Sequence, residues 1–266
     1  MSVRGRLMTT RLLAVFLLAA SVSAADSSIG MVSLNKNLNV RSMGMGGVSQ
    51  GSGGMMASWS NPAFLMDMET PGEVALGGGA LNGGNEVLTS IGAGWRLSNK
   101  FVVGGIFGYN GISFKENDGF GYTVGNTLGD NTLSLGLLGA YNLDLVTAGI
   151  SLKYVRENMM ENSDSGIACD VGLNGAWNGF SLGLSMRNFG PMIVQPKGND
   201  TSAYKDGVNL PVEFRGGLAY QFTSFNIRPA VEVRQPIVGG LPPVLGLGLD
   251  WWPAQWFTRL AARCCQ

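Results

Sequence analysis

The sequence predicts an all-β fold, a transmembrane antiparallel β-barrel with an N-terminal segment packed inside it. Long segments alternate between apolar and polar residues with a period of two, which is typical of barrel strands. Glycine contributes 41 of the 266 residues, and charged residues make up only 14%, about half the usual share in soluble proteins. We expect three parts: a signal peptide at residues 1–24, a plug or hatch segment at 25–70, and the barrel at 71–266.

The alternation is clearest in the segment 180–189. One of its faces carries Phe180, Leu182, Leu184 and Met186. The other carries Ser181, Gly183, Ser185 and Arg187. Strands that are apolar outside and polar or glycine-rich inside indicate a membrane barrel. A soluble secreted β-sandwich also alternates, so the pattern alone leaves that alternative open.

About eleven strands are predicted, and most have the 9–11 residues that a tilted strand needs to cross a bilayer. They lie near residues 73–83, 87–97, 101–115, 132–143, 146–157, 166–177, 180–190, 211–222, 225–235, 243–252 and 256–263. Short turns alternate with the longer loops 116–131, 159–165, 191–210 and 236–241. In outer-membrane barrels the short turns face the periplasm. Aromatic residues near those turns predict an interfacial girdle: Trp95, Phe101, Trp177, Phe180, Phe222, Phe225, Trp251, Trp252 and Trp256.

The first 24 residues read as a secretory signal peptide. Arg4, Arg6 and Arg11 form a positive region, and residues 12–20 form a short apolar core. The small residues at 22–24 resemble a cleavage site. The apolar run is shorter than the roughly 20 residues that a membrane-spanning helix needs. We therefore predict export and a location in the outer membrane.

Residues 41–65 are rich in both glycine and methionine. Glycine disfavours an independent helix or strand, and the apolar side chains disfavour a solvated linker. The segment is therefore predicted to fold by lying against the barrel wall. Four side chains of this run, with Phe64, either form an adaptable hydrophobic ligand pocket or fill space between segment and wall. They are Met43, Met45, Met55 and Met56.

Several charged residues are predicted to face the lumen. They are Lys153, Asp170, Arg187, Glu213, Arg215, Glu232 and Arg234, with Asp250 in the same class. They could line a polar path through the barrel. Their mixed signs on adjacent strands favour cross-strand pairs that brace a filled lumen.

Composition excludes several function classes. The chain has no histidine, so a Ser-His catalytic arrangement is absent. The net charge is zero, whereas nucleic-acid binding requires a basic excess. The three cysteines, Cys169, Cys264 and Cys265, give no disulfide framework, and Cys169 is predicted to face lipid. We predict no enzyme activity, no cofactor and no metal site.

Several motifs resemble one family in order and spacing. The residues that carry the first motif are Arg41, Gly44, Met45, Gly46 and Gly47, followed by Trp59, Asn61, Pro62 and Ala63. Later matches begin at Gly149, Asp170, Leu182, Asn188 and Leu210. The set resembles the PorV/PorQ family of FadL-type outer-membrane barrels and covers most of residues 29–262.

The resemblance implies a 14-stranded barrel with an N-terminal hatch. It implies passive uptake of hydrophobic, fatty-acid-like molecules, or, as the alternative, a PorV-like docking or shuttle role in type IX-like protein secretion. A structural role in the outer membrane is a further alternative. The expected partners are outer-membrane lipid, a hydrophobic ligand or exported proteins, and the barrel assembly machinery. Eleven strands fall short of 14, and single-chain bacterial barrels have even strand numbers. We therefore expect the sequence to be truncated, or shifted in frame near residue 262, with about three strands missing. Without them we expect no stable closed barrel, because an open edge in lipid leaves backbone groups unsatisfied.

Overall fold

A computed structural model describes residues 30–36, 38–117, 123–159, 162–193, 209–238, 240–251 and 258–263. The predicted signal peptide at 1–24, Trp252 and Trp256 lie outside these residues, as do parts of the predicted loops. No helix among the described residues has both the length and the apolar character to cross a membrane.

Twelve strands form one antiparallel sheet in the described residues. Their bounds are β1 Gly72–Leu81, β2 Glu86–Ser98, β3 Phe101–Asn117, β4 Thr123–Asn142, β5 Thr147–Met159, β6 Asn162–Trp177, β7 Phe180–Phe189, β8 Met192–Ile193, β9 Glu213–Tyr220, β10 Ile227–Pro236, β11 Val244–Trp251 and β12 Thr258–Arg263. The sheet order follows the chain, except that the short β8 pairs with β6 and β7 therefore pairs with β9. Within the described residues β1 and β12 do not pair, so this sheet is open.

Every predicted strand has a counterpart whose bounds agree within about four residues, except that β4 begins at Thr123 instead of near residue 132. Two predicted loops are wrong. β3 and β4 remain paired up to the partners Asn117 and Thr123, inside the predicted loop 116–131. β5 and β6 remain paired up to Met159 and Asn162, inside the predicted loop 159–165. Ladder hydrogen bonds join backbone groups, so pairing continues where the side chains cease to alternate.

The two faces of the sheet differ in chemistry. One face carries exposed apolar side chains; Leu137 is 73% exposed and Leu152 is 57% exposed. We call this the outer face. The opposite, inner face carries buried polar, charged and small residues, and it is covered by the N-terminal segment, residues 30–68. Cys169 alternates with the buried Asp170 and lies on the outer side of β6, partly exposed.

The N-terminal segment consists of short helical turns. They are a 3-10 helix at Val32–Asn35, α1 at Val40–Gly44, α2 at Gly54–Ala57 and a second 3-10 helix at Pro62–Asp67; a further 3-10 turn, Asn82–Gly84, joins β1 to β2. The side chain of Asn39 caps α1 by accepting hydrogen bonds from the backbone of Arg41 and Ser42. Gly46 and Gly47 end this turn with positive φ angles of 68° and 88°, a backbone conformation that glycine adopts without strain.

The segment runs from one end of the sheet to the other. Near its start, Met31 donates its backbone N–H to Glu157, close to the β5–β6 connection, at 3.1 Å. Near its end, the carbonyls of Met66 and Met68 accept from Arg96, close to the β2–β3 turn, at 3.1 and 2.7 Å. Three buried apolar clusters hold it to the sheet, centred on Met31 with Val155, on Met45 with Ala219, and on Met55 with Ile106.

Candidate functional site

The motif around Trp59 and Asn61 is the tightest contact between segment and sheet. The side chain of Asn61 lies against the inner face of the paired strands β6 and β7, where Nδ2 donates to the carbonyls of Leu173 and Leu184 at 3.0 and 3.2 Å. Its Oδ1 accepts from the Ala63 backbone at 3.0 Å, which caps the second 3-10 helix. Pro62 follows the cap at the first helical position, where a missing N–H costs nothing.

Glycines of the inner face make room for this motif. A Cβ atom on Gly172 would overlap the Asn61 side chain, and one on Gly149 would overlap the backbone of Pro62 and Ala63. A Cβ on Gly108 would lie 2.7 Å from the Trp59 ring. Contact with the N-terminal segment therefore explains why these inner-face positions are glycine.

The predicted lumen charges all lie buried on the inner face. Lys153 is 1% exposed and Asp170 is 1% exposed, and their charged atoms are 2.8 Å apart. Asn188 joins them: its Oδ1 accepts from Lys153 at 2.6 Å, and its backbone N–H donates to Asp170 at 2.8 Å. A β-bulge between Cys169 and Val171 aligns Asn188 with Asp170.

A second group of charges crosses β7, β9 and β10. Glu213 pairs with Arg187 at 3.4 Å and with Arg215 at 2.7 Å. Arg215 also approaches Glu232, at 3.7 Å, and Arg234 approaches the same carboxylate at 4.0 Å. The alternating order of the charges supports the bracing interpretation over an open polar path.

Backbone groups of the segment join this second group. Glu232 accepts the backbone N–H groups of Ser49 and Gln50 at 2.7 and 3.2 Å. Arg187 donates to the carbonyl of Leu34 at 3.3 Å. Gly47 packs against the guanidinium of Arg234, so that a Cβ there would lie 2.7 Å from Nη2. The charge network thus binds the segment as well as bracing the sheet.

Arg41, the first residue of the plug motif, lies near β10 and β11 on the inner face. Its Nη2 lies 2.5 Å from Oδ2 of Asp250 on β11, and Arg228 of β10 lies 3.1 Å from the same oxygen. Asp250 is 2% exposed, whereas Gly44 at the end of α1 is exposed. One buried carboxylate thus brings two guanidinium groups together.

The methionines pack against strand glycines. Met55 is fully buried over Gly92 and Gly94, and Met45 is fully buried against Gly248. Met56 is half-buried and contacts Gly77. These contacts favour space filling. Met43 is also half-buried, and Phe64 is 2% exposed.

A cavity of about 960 Å³ opens at the end of the sheet where the β6–β7 turn lies. Polar groups from the segment and from β1, β6, β7, β10 and β11 line it, including Arg41, Asp67, Glu73, Asn174, Arg228 and Asp250. Asp67 accepts from Nδ2 of Asn174 at 3.0 Å. Asp67 is exposed to the cavity, yet the surrounding atoms restrict its hydration and raise its pKa from 3.8 to about 6, against the opposing influence of Arg96, Arg228 and the Asn174 hydrogen bond.

Sequence reasoning did not single out Asn188, Lys36 or Glu86, nor the cavity residues Asp67, Glu73, Asn174 and Arg228. Asn188 appears in it only as part of a motif, yet it contacts both partners of the central ion pair. Its positive φ angle of 58° is one that asparagine tolerates better than most residues, and the Asn-Phe-Gly-Pro run could have indicated it. Lys36 pairs with Glu86, and neither residue has a sequence signal beyond its charge.

Comparisons with protein-family models and with curated proteins gave no match. Among solved structures, the chain is similar to in-vitro folded OmpT, an outer membrane protein of Vibrio cholerae, in a trimer form (TM-score 0.41, 14% identity, 72% of this chain and 56% of that chain). It is similar to outer-membrane expressed OmpT of Vibrio cholerae (TM-score 0.42, 12% identity, 74% and 58%). It is also similar to the FrpB iron transporter from Neisseria meningitidis, F3-3 variant (TM-score 0.34, 11% identity, 66% and 36%).

The chain thus spans 56% and 58% of the two OmpT chains and 36% of FrpB.

Proposed function

We propose that this is an outer-membrane β-barrel protein whose lumen is filled by the N-terminal segment and which passes hydrophobic small molecules when that segment moves. One observation carries the membrane assignment: the sheet exposes its apolar side chains and buries its charges. A soluble protein does the reverse, because each Å² of apolar surface removed from water stabilises it by about 25 cal/mol.

The apolar face is continuous over many strands. On β4 and β5 alone it carries Leu135, Leu137, Ile150 and Leu152, each more than half exposed. Soluble monomers rarely expose apolar patches beyond a few hundred Å². Lipid acyl chains fit such a face over its whole extent, because they cover apolar surface without specific contacts.

The filled inner face supports a closed resting state. Asn61 donates to backbone carbonyls of β6 and β7, Glu232 accepts from the backbone at Ser49 and Gln50, and Asp250 pairs with Arg41. A solute crossing between segment and sheet must break some of these contacts. A hydrophobic pocket at Met43, Met55, Met56 and Phe64 remains a prediction that requires the methionines to leave their glycine contacts.

The alternative from the family resemblance is docking of exported proteins. The loops predicted for this contact are 116–131 and 191–210. In the first, the described residues belong to the extended β3–β4 hairpin. Most of the second lies outside the described residues. Docking stays a prediction, as do the contacts with the assembly machinery.

Lipid exposure can be tested with nitroxide labels. A chain with all three cysteines changed to serine receives Leu152→Cys or, as the matched control, Leu145→Cys in the β4–β5 turn, where the leucine is 79% exposed. In phospholipid vesicles we expect the label at 152 to collide with oxygen and the label at 145 to collide with a water-soluble nickel chelate. Equal accessibility of both labels to nickel would contradict the membrane assignment.

A further inference from the structure

The methionines of the N-terminal segment differ in their access to solvent. Met43 and Met56 are half-buried. The others between residues 43 and 68 are buried: Met45, Met55, Met66 and Met68. A thioether is oxidised readily only where solvent reaches the side chain. A water-borne oxidant should therefore react with Met43 and Met56 before it reaches the buried methionines of this segment.

Met56 lies on α2, where it packs against the paired strands β1 and β2. Gly77 of β1 and Ser90 of β2 are directly opposite each other in the strand register. A Cβ atom on Gly77 would lie 2.8 Å from Cε of Met56 and 2.7 Å from Oγ of Ser90. The thioether of Met56 and the hydroxyl of Ser90 are therefore neighbours over the same glycine. Met43 has similar exposure, but these two contacts belong to Met56.

The hydroxyl of Ser90 attaches the N-terminal segment to β2. Ser90 is 1% exposed, and its Oγ donates to the carbonyl of Leu38 at 2.9 Å. The carbonyl of Gly77, within the sheet, lies farther from the same oxygen, at 3.4 Å. A serine hydroxyl has a single proton to donate. A new polar acceptor beside Ser90 would therefore compete with Leu38 for this hydrogen bond.

We propose that Met56 is an oxidation site, at which hypochlorous acid converts the thioether to the sulfoxide and so loosens the segment at Leu38. A sulfur–oxygen bond forms and the oxygen–chlorine bond breaks. Sulfur is oxidised by two electrons, chlorine leaves as chloride, and the hydroxyl proton passes to water. The sulfoxide oxygen is a polar acceptor on a formerly apolar side chain, and Ser90 is the donor beside it. The inference rests on the proposed function, because loosening this segment regulates passage through the same lumen.

The test treats the folded chain, with all three cysteines changed to serine, with limiting hypochlorous acid in detergent micelles. Mass spectrometry locates the sulfoxides, and limited proteolysis follows the segment. We expect a sulfoxide at Met56 while Met45 and Met55 stay unmodified. Cleavage within residues 38–53 should become about tenfold faster, because the buried Leu38 carbonyl loses its donor. Oxidation of Met55 before Met56, or unchanged cleavage after oxidation at Met56, would overturn the proposal.

Three variants separate the oxidation site from general oxidative damage. Met56→Leu should abolish the faster cleavage, whereas Met43→Leu, the matched control, should retain it. Ser90→Ala should be cleaved faster before oxidation and respond less to it, because its donor is already absent. Equal acceleration by oxidation with and without the Ser90 hydroxyl would overturn the competition with Leu38.

The oxidation test and the nitroxide test can fail separately. Unchanged cleavage after oxidation at Met56 overturns this inference and leaves the nitroxide result standing. Nickel access at position 152 would overturn the membrane assignment and leave the oxidation result standing.

Discussion

Asn61 occupies the space that any side chain on Gly172 would need. A Cβ atom at Gly172 would overlap the Asn61 amide oxygen, and the Asn61 nitrogen donates to the carbonyls of the neighbouring Leu173 and Leu184. The plug motif and a strand motif, separated by more than a hundred residues, are therefore two halves of one contact.

Gly172→Ala should loosen the N-terminal segment. Asn61 would have to shift and give up one or both of its strand hydrogen bonds, and forced overpacking of this kind typically costs about 1–3 kcal/mol. We expect a lower midpoint of urea unfolding in detergent micelles. We also expect faster proteolysis within residues 38–68, read by mass spectrometry of the fragments.

Gly105→Ala is the matched control for this substitution. Gly105 also lies within a strand, but on the outer face, where the nearest atom to a new Cβ would be 3.8 Å away. The control should leave both readouts unchanged. Equal effects of the two alanines would mean that strand propensity, rather than contact with Asn61, explains the loss.

The strand positions could be read from the sequence because alternation reflects the two different environments of the sheet. Lys153, Arg187 and Glu213 were placed inward by parity alone, and all three are buried. Their cross-strand pairing followed from mixed charges on adjacent strands. These features depend on one strand and its neighbours, which a linear pattern records.

Contacts that depend on the path of the N-terminal segment could not be read. Nothing in the sequence shows that Arg41 meets Asp250 or that Ser49 meets Glu232, because the partners are about two hundred residues apart in the chain. The bulge that brings Asn188 to Asp170 also shifts the strand register. The strand extensions at Asn117 and Met159 lack alternation, so pattern reasoning assigned them to loops.

Removing the amine of Lys153 should be strongly destabilising. Lys153→Met leaves the carboxylate of Asp170 buried with only neutral donors, and losing one partner of a buried ion pair typically costs about 3–5 kcal/mol. The midpoint of urea unfolding measures the loss. The double variant Lys153→Met with Asp170→Leu should recover part of it, because no unpaired charge remains.

A control pair is available at the surface. Lys100 and Asp144 form an ion pair of 3.1 Å with both side chains more than half exposed, and exposed pairs contribute about 0–1 kcal/mol. Lys100→Met should therefore leave the midpoint nearly unchanged. A Lys153→Met variant as stable as this control would refute the claim that the inner-face network stabilises the fold.

Asp67 should make stability depend on pH. Its pKa is raised from 3.8 to about 6, chiefly because the cavity walls restrict its hydration, so between these values the folded state holds more proton than the unfolded state. Stability must then fall as the pH rises from about 4 to about 6 and level off above it. Asp67→Asn removes this ionisation. The urea midpoint of the variant should therefore fall less than that of the wild type as the pH rises from about 4 to about 6.

Asp144→Asn, at an exposed turn position, is the matched control, and its urea midpoint should depend on pH as the wild-type midpoint does. If the pH profile of Asp67→Asn parallels that of the wild type, the Asp67 carboxyl group has the same pKa in the folded and unfolded states, which contradicts the prediction.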